Sequence, residues 1–180
     1  MKIGLCGSIS VGKTTLVNEL SKLEQFKDYK IATERSKYLR DQGILLNTDS
    51  TLKGQLVFAA ERSLELMNDN IITDRTYYDI CAFTLSSKSI SERQKELYTN
   101  LIMSLRNEYD LIIYVSPKGV NIEDNGVRTT DSEYRDKLDY VIKEMLIEYP
   151  PNNLLRIEGS IEERLSQINE YLLSQKITNE

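Results

Sequence analysis

The chain has 180 residues, 40% of them hydrophobic, which is enough for one domain with a sizeable core and too apolar for a disordered segment. A net charge of −5 argues against a broad nucleic-acid footprint and leaves room only for a local basic groove. There is no histidine, so His-based triads and His-ligated zinc are excluded, and any general base is a carboxylate or the substrate's own phosphate. The two cysteines, Cys6 and Cys81, sit in apolar runs without Cys-x-x-Cys spacing and read as reduced core residues of a cytoplasmic protein. No apolar run reaches the length of a membrane span, and the N-terminus reads as a strand, not as a signal peptide.

The first predicted element, Met1 to Cys6, is a short buried strand. It leads into Gly7-Ser8-Ile9-Ser10-Val11-Gly12-Lys13-Thr14, which fits the Walker A pattern G-x-x-x-x-G-K-[ST] at every fixed position. Thr15 then opens a helix with apolar residues at 16, 17, 20 and 23. Strand, glycine-bounded loop and helix together make a phosphate site. Two glycines let backbone N–H groups turn inward, and the helix N-terminus adds its dipole. Residues 7–15 are therefore the candidate ATP site, with Lys13 on the β/γ-phosphates and Thr14 on Mg²⁺.

Further strands are predicted at Lys30–Thr33, Asn70–Thr73, Leu111–Val115 and Leu154–Ile157, alternating with helical stretches at 51–67, 91–107 and 132–147 and a last helix that starts from the capping box at Ser160 to Glu163 and frays from about Gln175. This alternation predicts a single α/β domain with a five-stranded parallel sheet covered by helices on both faces. The stripe Leu52, Leu56, Ala60, Leu64 and Met67, and the set Leu97, Leu101, Ile102 and Leu105, read as core.

Three polar constellations follow strands. Asp74, after an apolar strand, occupies the natural Walker B position, where it could hold Mg²⁺ through water or accept a proton; Arg75 beside it could clamp an anion. Glu34 and Arg35 end another strand and should open on the same crevice, unless they simply begin an exposed helix through Tyr38 and Arg40. A polar stretch with Asp124, Gly126 and Arg128 leads into a helix carrying Arg135; it reads either as a mobile lid, residues 118–135, bringing arginines over the phosphates, or as a solvated loop. Neither the Asp-x-x-Gly nor the Asn-Lys-x-Asp motif of Ras-like GTPases occurs, and Asp74 is followed by Arg75 where motor-type ATPases usually carry Glu.

On Gly7–Leu20, Glu34-Arg35, Gln55 through Arg75, Asp79 with Ala82-Phe83, and Gly126 to Arg135, nearly the whole chain resembles the P-loop nucleoside and nucleotide kinases, and most of all the ribosylnicotinamide-kinase-like domains of NadR-type proteins, which are AAA-like. The resemblance implies strand order 2-3-1-4-5. It also implies an ATP- and Mg²⁺-dependent kinase acting on a small nucleoside-like or nucleotide-like acceptor. Lys13, Asp74, Glu34 and Arg128 would then be catalytic, with Asp74 or Glu34 as base and Asp74 preferred. Arg128 and Arg135 would bind ATP, Thr14 and Asp74 the metal, and Glu34, Arg35, Arg75, Tyr38 and Tyr78 the acceptor; tyrosines take the stacking role because the chain has no tryptophan. A kinase of polynucleotides or of modified bases in DNA is the alternative enzyme, and an ATP-dependent switch the alternative of another class. The oligomeric state stays open, a homodimer included.

Overall fold

The computed structural model describes residues 1–118 and 132–178. Five parallel strands, β1 (Lys2–Cys6), β2 (Lys30–Ala32), β3 (Ile71–Asp74), β4 (Leu111–Val115) and β5 (Leu154–Ile157), form one sheet in the order β2-β3-β1-β4-β5, as expected. Leu5 lies opposite Asp74 and Ile113, so the P-loop leaves the sheet beside the last residue of β3.

Strands covered on both faces should be apolar throughout, and β4, Leu-Ile-Ile-Tyr-Val, is buried at all five positions. Alternate residues feed two separate cores. Ile3, Leu5, Ile72 and Ile113 pack against helices α1 (Lys13–Leu20) and α7 (Ile161–Thr178). Cys6, Ile71, Ile112 and Tyr114 pack on the other face against α4 (Tyr77–Ser86), α5 (Glu92–Met103) and α6 (Ser132–Glu148). Both cysteines are free and buried, and no described helix is long and apolar enough to cross a membrane.

Three helices were not fully legible. The buried α4 has no amphipathic period because it is covered all round; its start is fixed by Thr76 and Asp79, a capping box with aspartate in the glutamate place. On α3 (Leu52–Glu65) the predicted core stripe holds only at Leu52, which packs against the core, and is reversed beyond it. Leu56, Leu64 and, just beyond the helix, Met67 are exposed, while Gly54, Gln55, Ala59 and Arg62 are buried. The helix turns its polar residues inward because that side borders the ends of β2 and β3, where Arg62 Nη2 donates to the Asp74 carbonyl at 2.9 Å. On α5, Leu97 and Leu101 are likewise exposed, and Tyr98, Ile102 and Met103 carry the packing. The capping box at Ser160 forms as expected: Ser160 N donates to Glu163 Oε2 at 2.7 Å and Glu163 N to Ser160 Oγ at 3.2 Å.

Gly4 of β1 marks the tightest packing under the site. A Cβ there would sit 2.6 Å from both Thr76 Cγ2 and Tyr109 Cε1, and neither neighbour has room to yield, Thr76 being 0% and Tyr109 1% exposed. Gly4→Ala is expected to cost about 3 kcal/mol of unfolding free energy, the upper range for overpacking, read from the urea midpoint at unchanged slope.

Candidate active site

The P-loop is shaped by two glycines. Gly7 brings its α-carbon where a Cβ would stand 2.6 Å from the Val115 carbonyl, and Gly12 has φ +84°, left-handed geometry that the loop needs before entering α1. Lys13 is buried, its Nζ 2.6 Å from both the Gly7 and Ser8 carbonyl oxygens. Its ammonium is therefore held against the loop it is expected to leave for phosphate. Asp79 stands behind it. The Asp79 carboxylate accepts from Gly7 N at 3.1 Å and from Thr76 N and Oγ1 at 2.8 and 2.9 Å, and lies 3.8 Å from Lys13 Nζ. Complete burial pushes the Asp79 carboxyl up from its usual range, opposed first by Lys13 and then by Arg75. Asp79 thus ties the start of the P-loop to the cap of α4. The sequence pattern Thr76-x-x-Asp79 is the signal for it, and its contact with Gly7 is beyond any local pattern.

Thr14 and Asp74 come together as expected: Thr14 Oγ1 donates to Asp74 Oδ2 at 2.5 Å. Asp74 is fully buried, and its other oxygen, Oδ1, has no hydrogen-bond partner among the described residues. Hard hydroxyl and carboxylate oxygens with one unsatisfied lone-pair group fit Mg²⁺, which takes few protein ligands and completes its shell with water and phosphate. The described residues contain no cluster of three or more acidic, cysteine or histidine ligands.

Beside the P-loop, at the carboxyl ends of β2 and β3, a cavity of about 120 Å³ opens between Ile9, Glu34, Gln55, Phe58, Arg75 and Phe83. Glu34 Oε1 accepts from Ser36 N at 2.5 Å, capping α2 (Ser36–Asp41), and faces Arg75 Nη2 at 3.8 Å. The Arg75 guanidinium lies 4.6 Å from the centre of the Phe83 ring. Arg75 itself has φ +78°, a left-handed residue at a strand end. Its backbone is fixed by N–H donation to the Leu5 carbonyl at 3.0 Å. Arg75→Ala keeps this strain and Arg75→Gly relieves it, so the glycine variant is expected to be more stable than the alanine variant by about 1 kcal/mol in urea, with both losing the cavity's guanidinium.

The other expected acceptor residues do not line this cavity. Arg35 stacks 4.5 Å over the exposed Tyr38 ring and pairs with Glu61 at 3.0 Å, and it borders a smaller neighbouring pocket with Glu34, Phe58 and Arg75. Tyr78 does not line the cavity: it is fully buried, its hydroxyl donating to the Tyr149 carbonyl at 2.6 Å. Aromatic walls come from Phe58 and Phe83 instead. Gln55 was also missed; it is buried on the face of α3 that carries Gly54, Ala59 and Arg62, which the apolar period does not mark. Arg128 and most of the expected lid lie outside the described residues. Arg135 is brought to the P-loop by its backbone, its carbonyl accepting from Ser8 Oγ at 2.5 Å, while its Nε stands 3.6 Å from Asp136.

The fold is that of M. mycoides deoxyadenosine kinase: the structure with dCMP and a flexible dCDP aligns with TM-score 0.59 at 20% identity over the full length of both chains. The dCTP-bound structure aligns with TM-score 0.57 at 21% identity, again over both full lengths. The dATP-bound structure aligns with TM-score 0.59 at 19% identity, over 96% of this chain and 99% of that one. No curated protein matches the sequence. The profile of one family does match, over residues 2–164, which include the P-loop, Glu34, Asp74 and the cavity between them: the chain belongs to the AAA domain family.

Proposed function

We propose that the chain is an ATP- and Mg²⁺-dependent kinase that transfers the γ-phosphoryl group to a hydroxyl of a nucleoside-like acceptor. One observation carries this reading: the phosphate loop and a separate aromatic-walled cavity share the Ile9 wall, so a donor and an acceptor can meet at the strand ends. The cavity suits a planar base. Phe58 and Phe83 offer ring faces, and the Gln55 amide offers a donor and an acceptor side by side. Glu34 lies at the polar end, where it suits a sugar hydroxyl better than an acceptor phosphate. The shared fold with deoxyadenosine kinase, seen with dATP, dCTP and dCMP, supports the same reading.

In this reading Lys13 and the P-loop amides hold the β/γ-phosphates, and Thr14 and Asp74 would hold Mg²⁺, which would supply neutralisation of the phosphate charge. The acceptor oxygen attacks the γ-phosphorus, the bond to the β-bridging oxygen breaks, and ADP leaves. Glu34 takes the acceptor's proton. The sequence prefers Asp74 as base, but Glu34 lines the cavity and Asp74 is engaged with Thr14, so the proposal moves to Glu34. Arg128 and Arg135 neutralise transition-state charge.

Labelled ATP or GTP with a panel of nucleosides, ribosylnicotinamide, nucleoside monophosphates and short DNA tests the proposal. Transfer to nucleosides, with ATP at least as good a donor as GTP, is expected. Transfer to DNA alone would favour the polynucleotide or modified-base kinase, and acceptor-independent hydrolysis would favour the switch.

A further inference from the structure

Arg164, in the first turn of α7, is the largest of the nearly inaccessible side chains, only 2% exposed. Its Nη1 donates to the Val11 carbonyl at 2.7 Å and its Nη2 to the Ser116 carbonyl at 3.2 Å. Nε has no hydrogen-bond partner, and among the described residues no carboxylate lies within ion-pair distance of the guanidinium. Burial alone pushes its pKa down, with no acid acting to restore it. Every other arginine of the P-loop and cavity surroundings, Arg35, Arg62, Arg75 and Arg135, has a carboxylate within 4 Å; Arg164 does not.

A buried cation satisfied only by carbonyl dipoles is incompletely compensated. The missing anion has an evident place. Nη1 lies 3.2 Å from where a Cβ on Gly12 would stand, so the charge sits directly behind the P-loop glycine that precedes Lys13. In the proposed function that same backbone cradles the donor phosphates. Close backing of this kind needs glycine at 12 on two counts, the left-handed φ and the guanidinium behind it.

We propose that Arg164 is a positioning residue whose counter-charge is the donor's polyphosphate: it fixes the tip of the P-loop through Val11, joins it to the exit of β4 through Ser116, and is neutralised when a polyphosphate occupies the loop. The inference rests on the P-loop being the donor site. Because the charge acts through one layer of backbone in a water-poor region, salt screens it little, and its effect falls on the phosphates and not on the base.

Binding of ATP and of inorganic tripolyphosphate, each with Mg²⁺, is measured by calorimetry on the wild-type chain, R164M, R164Q and R164K, with folding checked by circular dichroism. Wild-type binding of ATP comes first; its absence would sink the donor-site reading itself and this inference with it. With it present, R164M and R164Q are expected to weaken ATP and tripolyphosphate by the same factor, about tenfold to thirtyfold, the scale of one unit charge at close range in a partly polar interior. R164K, which keeps the charge and loses the fork, should stay within about threefold of wild type. The proposal is overturned if tripolyphosphate binds R164M as tightly as wild type, if R164K weakens as much as R164M, or if ATP weakens and tripolyphosphate does not. Failure of both uncharged variants to fold, with R164K folded or not, assigns Arg164 a structural role and overturns it as well.

Discussion

Replacing Lys13 by alanine is expected to reduce phosphoryl transfer by at least about 10³-fold, the scale of losing a principal electrostatic contact to the transferring group. The structure adds a stability cost that the motif alone does not reveal. Lys13 Nζ satisfies the Gly7 and Ser8 carbonyls and is the first charge opposing the burial of Asp79. Its removal leaves those carbonyls short of a donor and Asp79 short of a cation, a loss of about 2–4 kcal/mol. With typical domain stabilities of about 5–15 kcal/mol the variant still folds. The Asp79 part of the deficit should depend on pH in a stated direction. A carboxyl whose pKa is raised in the folded chain binds more protons there than in the unfolded chain, so stability falls as pH rises above the usual carboxylate range. Without Lys13 the Asp79 carboxyl is raised further, so the gap between variant and wild type should widen as pH rises from about 4 and narrow on acidification to the part owed to the two carbonyls. Urea melts across pH, run beside the transfer assay, check both halves; near-normal transfer by the folded variant would refute the donor site.

How far the sequence reaches is set by how local each cause is. The P-loop, Thr14 and the β3 aspartate are fixed by short patterns and strand ends, and they meet at 2.5 Å. Alternation predicts a parallel sheet covered on both faces but not which strands are neighbours; the order comes from the resemblance alone, and the structure has it. The α3 stripe misled because hydrophobic period shows that a helix has two faces but not which face meets the sheet. There the inward face is polar, for Gln55 and Arg62 serve the cavity and the end of β3. Tyr78 misled in the opposite sense: a tyrosine near a site motif has its hydroxyl satisfied by the Tyr149 carbonyl in the core, 71 residues along the chain. Asp79 and Arg164 act through Gly7 and Val11, contacts across 72 and 153 residues, which no window of sequence contains.

Glu34→Gln is expected to lower kcat by about 10²–10⁴-fold, the usual contribution of a general base, while ATP binding is unchanged. The glutamine keeps size and can still accept from Ser36 N, so α2 should keep its cap and the fold its stability. What it loses is proton affinity at the cavity wall and the partner facing Arg75 at 3.8 Å. Asp74→Asn is expected to behave differently. Asp74 Oδ2 holds the Thr14 hydroxyl, and Oδ1 is buried without a partner among the described residues, a donor set that suits the metal of the proposed function. An amide there puts an N–H₂ group where a cation is expected, so ATP binding and turnover should both fall, by about 10²-fold in kcat, with a shifted Mg²⁺ requirement and partial recovery at raised Mg²⁺ or Mn²⁺. Titrating ATP, metal and turnover on both variants separates the roles. A kcat collapse in Asp74→Asn that no metal concentration relieves, beside a Glu34→Gln variant altered only in acceptor KM, would return the base to Asp74 and leave Glu34 as an acceptor-binding group.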